Sequence, residues 1–302
     1  MDKTFQSDAA LTLTCYTDPY CTWCWGSEPM LTKLRALYGE RIKLAYKMGG
    51  LVRNIRQFYD AANGIGGNGW YKQVAAHWEE ASQRHGMPVD SRVWDDVKDG
   101  FQSTYPACIS FKAAELTSPN LANLFLRRLR ESAAALRLPI HDYEVTAKLA
   151  ADIGIDPLDF MKRIESGEAE HAFMLELEEC RQAMIQSFPT FIFSNPQGQQ
   201  YTLVSYRSFP AFDRVVRELA GEALGAPRQL SIDDDLMDII EMNGSTTVPE
   251  IAEVFDIGTT EAKDALDRLV NKEGIEAFQA GNGFLYRIGR TASCKVGSAF
   301  FC

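Results

Sequence analysis

The chain has 302 residues, 46% apolar and 24% charged, which excludes a mostly disordered polypeptide and points to about two domains. Its 41 Asp and Glu against 31 Lys and Arg leave a net charge of −10, so the surface repels phosphate backbones and nucleic acid is not an expected partner. No apolar run approaches the ~18 residues of a membrane helix, and Met1 to Ala10 lacks the apolar segment of an export signal; a cytoplasmic protein without membrane contact is expected.

Leu11 to Thr17 (LTLTCYT) alternates and is rich in β-branched residues, which predicts a strand. Asp18-Pro19 ends it. A helix is predicted from Thr22 to Tyr38, with Met30, Leu31, Leu34 and Leu37 along one face and Gly39 as its stop. Arg41 to Met48 reads as a second strand, ended by Gly49-Gly50. A strand–helix–strand unit with short connections makes a parallel pair. Helices are predicted next at 71–85, 107–117, 122–136, 145–153, 157–166 and 168–185. Asn63 to Asn68 (NGIGGN) lacks the preceding strand, the following helix and the lysine of a phosphate cradle, and reads as a plain loop. Thr190 to Ser194 and Gln200 to Ser205 form a predicted hairpin, followed by a helix from Phe209 to Ala220 and a linker from Gly221 to Pro227. Residues 229–290 read as a separate unit of three short helices (233–242, 248–255, 259–272) and a hairpin from Ile275 to Ile288 turning at Gly281-Asn282-Gly283, the layout of a winged helix. Residues 291–302 are a small polar tail.

Seven cysteines is an odd and sparse count for a secreted disulfide scaffold. In a reducing compartment the thiols are free, and a close pair is catalytic or metal-binding. Cys21-Thr22-Trp23-Cys24 is such a pair. Its spacing alone is weak; its place between a strand and a helix is stronger. Unpaired N–H groups and the helix dipole favour an anion at Cys21, which predicts a low-pKa, exposed, attacking thiolate. Cys24 lies one turn on, deeper, within reach of a disulfide. Half a zinc site is the rival reading, but it needs a second pair, and Cys294 and Cys302 are far away with seven residues between them. Two ordinary core cysteines are the other rival. In Ser187-Phe188-Pro189-Thr190 a proline opens a strand, which on its own is ordinarily trans and structural.

Together, strand–CTWC–helix, MGGL at 48–51, STYPACISFKAAEL at 103–116 and SFPTFIF at 187–193 resemble the DsbA-like branch of the thioredoxin superfamily over residues 10–220. The resemblance implies an α/β thioredoxin fold with an inserted helical domain. Its N-terminal half is 10–66 with the CxxC, the insert 67–186, and the C-terminal half 187–221 with a cis-proline loop. The winged-helix-like domain at 229–290 and the tail at 291–302 follow. It implies that Pro189 is cis, that Phe188 is the variable residue before it, and that both face Cys21. It further implies a thiol–disulfide oxidoreductase or isomerase acting on disulfide- or thiol-containing clients, protein or small molecule. Cys21, Cys24 and Pro189 form the expected catalytic set; Thr22, Trp23 and Phe188 the expected substrate contacts; no cofactor or metal is implied. Thr-Trp replaces the Pro-His of secreted DsbA, so Cys21 lacks a histidine partner and a less oxidising couple is expected. The related chromene-carboxylate isomerases and kappa-class glutathione transferases keep a serine where Cys21 stands, so the intact CxxC argues against them. Cytoplasmic relatives include disulfide isomerases and a protease-adaptor lineage. An adaptor with a redox-sensing CxxC is therefore the alternative.

Among the remaining residues, Trp23 is expected to be an exposed contact surface and Trp25 core. Glu28 is expected to be a solvated helix charge, and Cys15, Cys108 and Cys180 buried thiols. His77, His85, His141 and His171 show no ligand spacing and are assigned no role. Residues 229–290 hold 13 Asp/Glu and 5 Lys/Arg, a net −8. The third helix sets Glu261, Asp264 and Asp267 against Lys263, Arg268 and Lys272, which opposes DNA binding and favours protein docking. Because the thioredoxin elements close by residue 220, the unit is expected to be removable without loss of CxxC chemistry.

Overall fold

The computed structural model describes residues 9–272 and 274–289; Cys294, Cys302 and the rest of the tail lie outside the described residues. The first part runs β1 (Leu11–Thr17), α1 (Thr22–Gly26), α2 (Glu28–Tyr38), β2 (Ile42–Met48), then a small hairpin of β3 (Tyr59–Asp60) and β4 (Ile65–Gly66). Seven helices follow: α3 (Trp70–His85), α4 (Val93–Val97), α5 (Tyr105–Thr117), α6 (Ala122–Ala134), α7 (Tyr143–Asp152), α8 (Pro157–Glu165) and α9 (Glu168–Gln182). Then come β5 (Thr190–Ser194), β6 (Gln200–Val204) and α10 (Phe209–Ala220). The last part holds α11 (Ile232–Asn243), β7 (Ser245–Thr246), α12 (Val248–Phe255), α13 (Thr259–Lys272), β8 (Ile275–Ala280) and β9 (Gly283–Ile288).

The central sheet has the order β2-β1-β5-β6. β2 is parallel to β1, while β5 and β6 are antiparallel to their neighbours. The inner strands β1 and β5 are covered on both faces and read as apolar runs; edge strand β6 buries only Leu203. The predicted single helix 22–38 is broken at Ser27. Pro29 has no N–H to return to the preceding turn, and the Ser27 N–H instead closes α1 on the carbonyls of Cys24 and Trp25. α5 is the hub of the helical insert, packed by α6, α7, α8 and α9. It is buried from Ala107 to Ala114, which is why small residues fill it. No helix among the described residues is long and apolar enough to cross a membrane.

The C-terminal part has three helices and the antiparallel sheet β7-β9-β8. Leu236, Ile239, Ile240, Ile251, Val254 and Leu266 form its own apolar core, joined by Ala36 of α2. It is also fastened to the rest by buried polar contacts. Arg127 of α6 donates to both oxygens of Glu250, at 2.6 and 2.8 Å. Thr32 donates to Glu250 at 2.8 Å, Arg35 to Asn243 at 3.0 Å, and Ser245 to Glu131. Asn282 accepts the Val89 N–H at 2.8 Å. These contacts show that the unit is not loosely appended: its loss would take Glu250 from Arg127, which keeps Glu28, and Ser245 from Glu131, which keeps Arg128.

Candidate active site

Cys21 is the N-cap of α1, and its Sγ accepts the N–H of Cys24 at 3.2 Å. Asp18 prepares this turn. Its carboxylate accepts from the N–H groups of Tyr20 and Leu51, at 2.8 and 2.7 Å, and from the Thr104 hydroxyl at 2.6 Å. One side chain thereby ties the end of β1 to the MGGL segment and to the start of α5. Burial raises the Asp18 carboxyl above its usual range, and these bonds oppose the rise.

Both cysteines are free thiols and both are buried, Cys21 at 5% exposure and Cys24 at 1%. The expectation of an exposed, acidic Cys21 is corrected here. Burial, with the neighbouring Cys24 sulfur, pushes the Cys21 thiol well up. Burial also opposes charge on Cys24, but the Cys21 thiol, the Arg130 guanidinium and the Thr17 hydroxyl outweigh it and hold Cys24 below the ordinary thiol range. Two thiols in contact do not both ionise readily, and the Arg130 guanidinium favours negative charge on the Cys24 side of the pair. Cys15, Cys108 and Cys180 are buried as expected, and burial pushes all three thiols up.

Cys21, not Cys24, lines a cleft of about 630 Å³. Thr22 and Trp23 line it from α1, Phe188 from the proline loop, and Trp70 and Phe101 from the insert. The Phe188–Pro189 peptide is cis. Ala61, Ala62 and Asn63, the last of them in the segment read as a plain loop, lie in the turn of the β3–β4 hairpin and line the same cleft, held by Asp60, which accepts the N–H groups of Ala62 and Asn63. Among the described residues no lysine or arginine lines it; Asp60 and His77 are its polar titratable side chains besides tyrosines.

Trp23 is half-buried rather than exposed. Its indole N–H donates to His77 Nε2 at 3.1 Å, and the His85 and Tyr206 rings pack on it at 5.9 and 5.7 Å. The Tyr20 hydroxyl is hydrogen-bonded to His141 Nδ1 at 2.7 Å. Three of the four histidines left without a role therefore buttress the CxxC, from positions dozens of residues away in sequence. Trp25 is fully buried, with its indole N–H on the Pro88 carbonyl at 2.9 Å.

Glu28 is not a solvated charge. It is 5% exposed and paired with Arg130 and Arg127 of α6. Among the described residues no group of three or more His, Cys, Asp or Glu is placed to hold a metal ion.

A family model described as thioredoxin matches residues 15–211. The chain belongs to the thioredoxin family. A candidate protein disulfide isomerase from Nitrosomonas europaea shares the fold at 21% identity, covering 76% of this chain and 98% of its own, with a TM-score of 0.55. The cytosolic disulfide reductase DsbM from Pseudomonas aeruginosa shares it at 22% identity, covering 64% and 88%, with a TM-score of 0.51. The ClpXP adapter protein SpxH of Bacillus subtilis is 26% identical over 276 residues, 90% of this chain and 87% of its own.

Within this thioredoxin family fold, the first glycine of MGGL has a steric purpose. A Cβ on Gly49 would lie 2.0–2.2 Å from the Phe188 ring, so that ring rests directly on the backbone after β2. Gly49→Ala is expected to cost about 1–3 kcal/mol through overpacking and to move Phe188 off the cleft. Denaturant titration measures the loss, and an unchanged midpoint would show that the ring swings aside freely.

Proposed function

We propose that the protein is a dithiol–disulfide oxidoreductase whose clients are proteins, with Cys21 as the attacking and Cys24 as the resolving sulfur. The observation that carries this reading is the position of Cys21, alone of the pair, on the wall of an apolar cleft at the head of α1. The reacting form of the reduced pair holds one proton and one negative charge. Attack on a client disulfide draws the charge to Cys21, forms a mixed disulfide and expels the other client sulfur as a thiolate. That thiolate takes the Cys24 proton. Cys24 then attacks the Cys21 sulfur, closes the pair and releases the second client thiolate. Two electrons pass to the client, and a dithiol donor must restore the pair; the reverse sequence oxidises a client dithiol.

Thr22, Trp23 and Phe188 are the substrate contacts in this reading, and Pro189 shapes the cleft beside them. An apolar cleft without lysine or arginine favours an apolar polypeptide segment over an anionic small thiol. We assign the thioredoxin halves to 10–66 and 187–221, the helical insert to 67–186, and a winged-helix-like docking unit to 229–290. The test is covalent capture. Wild type should turn over a protein disulfide, Cys24→Ser should accumulate mixed disulfides through Cys21, and Cys21→Ser should do neither. Turnover by Cys21→Ser, or capture through Cys24, would overturn the assignment.

A second reading, an adaptor with a redox-sensing CxxC, is favoured by one observation. The similarity to SpxH spans 90% of this chain, beyond residues 15–211. Tight binding of one client, equal for the dithiol and disulfide forms, would favour it.

A further inference from the structure

We propose that the buried chain Glu250–Arg127–Glu28–Arg130 sets how much negative charge the reduced Cys21–Cys24 pair holds, so that the C-terminal part of the fold tunes the pair's reduction potential. This rests on the thiol–disulfide reading above. Arg127 and Arg130 stand three apart on α6 and share one face. Arg130, 1% exposed, donates Nη1 to Glu28 and Nη2 to the Thr17 hydroxyl. Thr17 closes β1, and its hydroxyl, held by Arg130, favours negative charge on the Cys24 sulfur. Arg127 Nη1 reaches Glu28 at 3.4 Å and Glu250 at 2.6 Å, while Nη2 holds the other Glu250 oxygen at 2.8 Å. Glu250 is fully buried and also accepts from Thr32, Asn243 and Thr246. The signs alternate from the C-terminal unit to the sulfur: carboxylate, guanidinium, carboxylate, guanidinium.

The four groups sum to zero charge, and their positive end faces the pair. The Nε–H of Arg130 has no acceptor in the dithiol protein, which is spare donor capacity at that end. The other titratable groups near Cys24 are Cys21, Cys15 on β1, Asp18 at its end and Tyr46 on β2. Burial keeps Cys15 and Tyr46 uncharged, and Arg130 lies 5.3 Å from the Tyr46 ring. Arg130 is the cation of this set. Reduction of the pair consumes two electrons and one proton and yields one thiol and one thiolate, the electrons coming from a thiol couple such as glutathione. A cation beside the thiolate stabilises the reduced side; Glu28, beside the cation, opposes it; Arg127 and Glu250 set how firmly Glu28 is held. These are positioning residues: none of the four lines the cleft.

The experiment uses the full-length chain. The dithiol fraction is read by alkylation across glutathione redox buffers, and the thiolate is titrated by its ultraviolet absorbance. Arg130→Met should raise the first titration of the pair by about one pH unit or more. It should also make reduction about tenfold less favourable, a potential ~30 mV more negative. Arg130→Lys, which keeps the charge, should recover most of that shift. Glu28→Gln should move both readouts the opposite way, and Glu250→Gln the same way as Glu28→Gln but by less. A merely structural role predicts no such opposition of sign. Arg130→Met and Glu28→Gln moving together, or either leaving the titration unmoved, would overturn the proposal, as would an unmoved Glu250→Gln. If Arg130→Met does not fold, the two glutamate variants decide by sign: a downward titration in both supports the proposal and any other result overturns it. A wild-type pair that never cycles in these buffers overturns the functional reading itself. A pair that cycles identically in every variant overturns this inference alone.

Discussion

Arg127→Ala is expected to lower the stability of the protein by about 3–5 kcal/mol, the cost of leaving a buried carboxylate without its partner. Arg127 is 4% exposed and Glu250 fully buried, so water reaches neither. Burial pushes the Glu250 carboxyl up, and the Arg127 guanidinium, through charge and two hydrogen bonds, overcomes this and holds it below the ordinary carboxylate range. Removal of the arginine reverses that balance. Thr32, Asn243 and Thr246 still donate to the carboxylate, but they are neutral and cannot replace a cation. The same truncation removes a guanidinium stacked 4.8 Å from the Trp25 ring, directly behind the CxxC. The double variant Arg127→Met, Glu250→Gln should regain most of the loss, since removing both charges of a buried pair is nearly neutral where removing one is not. Urea unfolding of the three proteins measures this. A loss under about 1 kcal/mol for Arg127→Ala, or no recovery in the double variant, would show that the pair contributes little. A separate early transition would show that the C-terminal helices unfold alone.

Local signals were enough to read most of the fold. LTLTCYT and TFIFS alternate or run apolar because they are the inner strands, and Gly39, Gly49 and Pro157 mark ends that need no distant partner. The helices at 248–255 and 259–272 and the hairpin turning after Ala280 fall where their periodicity and glycines place them. The elements missed are short: α4 has five residues, and β3, β4 and β7 have two each, too few for a period to register. The site was legible only in part. That Cys21 and Phe188 share one cleft could be expected because the motifs around them are local. Glu28 was misread because its partners Arg127 and Arg130 lie about a hundred positions further on. An acidic side chain between Ser27 and Pro29 looks the same on paper whether it faces water or α6. One local cue was available: Glu28 precedes Met30 and Leu31 in a segment with no exposed turn between. The histidines were dismissed for lack of ligand spacing, which tests for metals and not for buttressing.

Stability is expected to fall as pH drops from about 6.5 towards 4, by about 3 kcal/mol from His85 alone. His85 ends α3 and is 7% exposed. Its Nδ1 accepts the Met87 N–H at 3.0 Å, which places the proton on Nε2, and Nε2 has no partner. A second proton on this ring would face the Met87 N–H with another donor, in a site without a compensating carboxylate. Its ring also lies where a Gly26 Cβ would be, 2.3 Å away, so it cannot turn out to water without releasing α1. Burial accordingly pushes His85 from its ordinary value of 6.5 down to about 4. The sign follows from which state binds the proton first. Below pH 6.5 the unfolded chain protonates His85 while the folded chain does not, so the unfolded state gains. The penalty grows until about pH 4 and then levels off. Burial lowers His77 and His141 as well, and they steepen the same slope. Denaturant midpoints between pH 7 and 4.5 test this in wild type and in His85→Asn, whose Oδ1 can still accept the Met87 N–H but does not titrate. The variant should start less stable at pH 7, because Trp23 loses a ring against it, yet lose less as the pH falls. Parallel slopes would mean that His85 protonates freely in the folded protein and that the wedge between α3 and the CxxC helix opens.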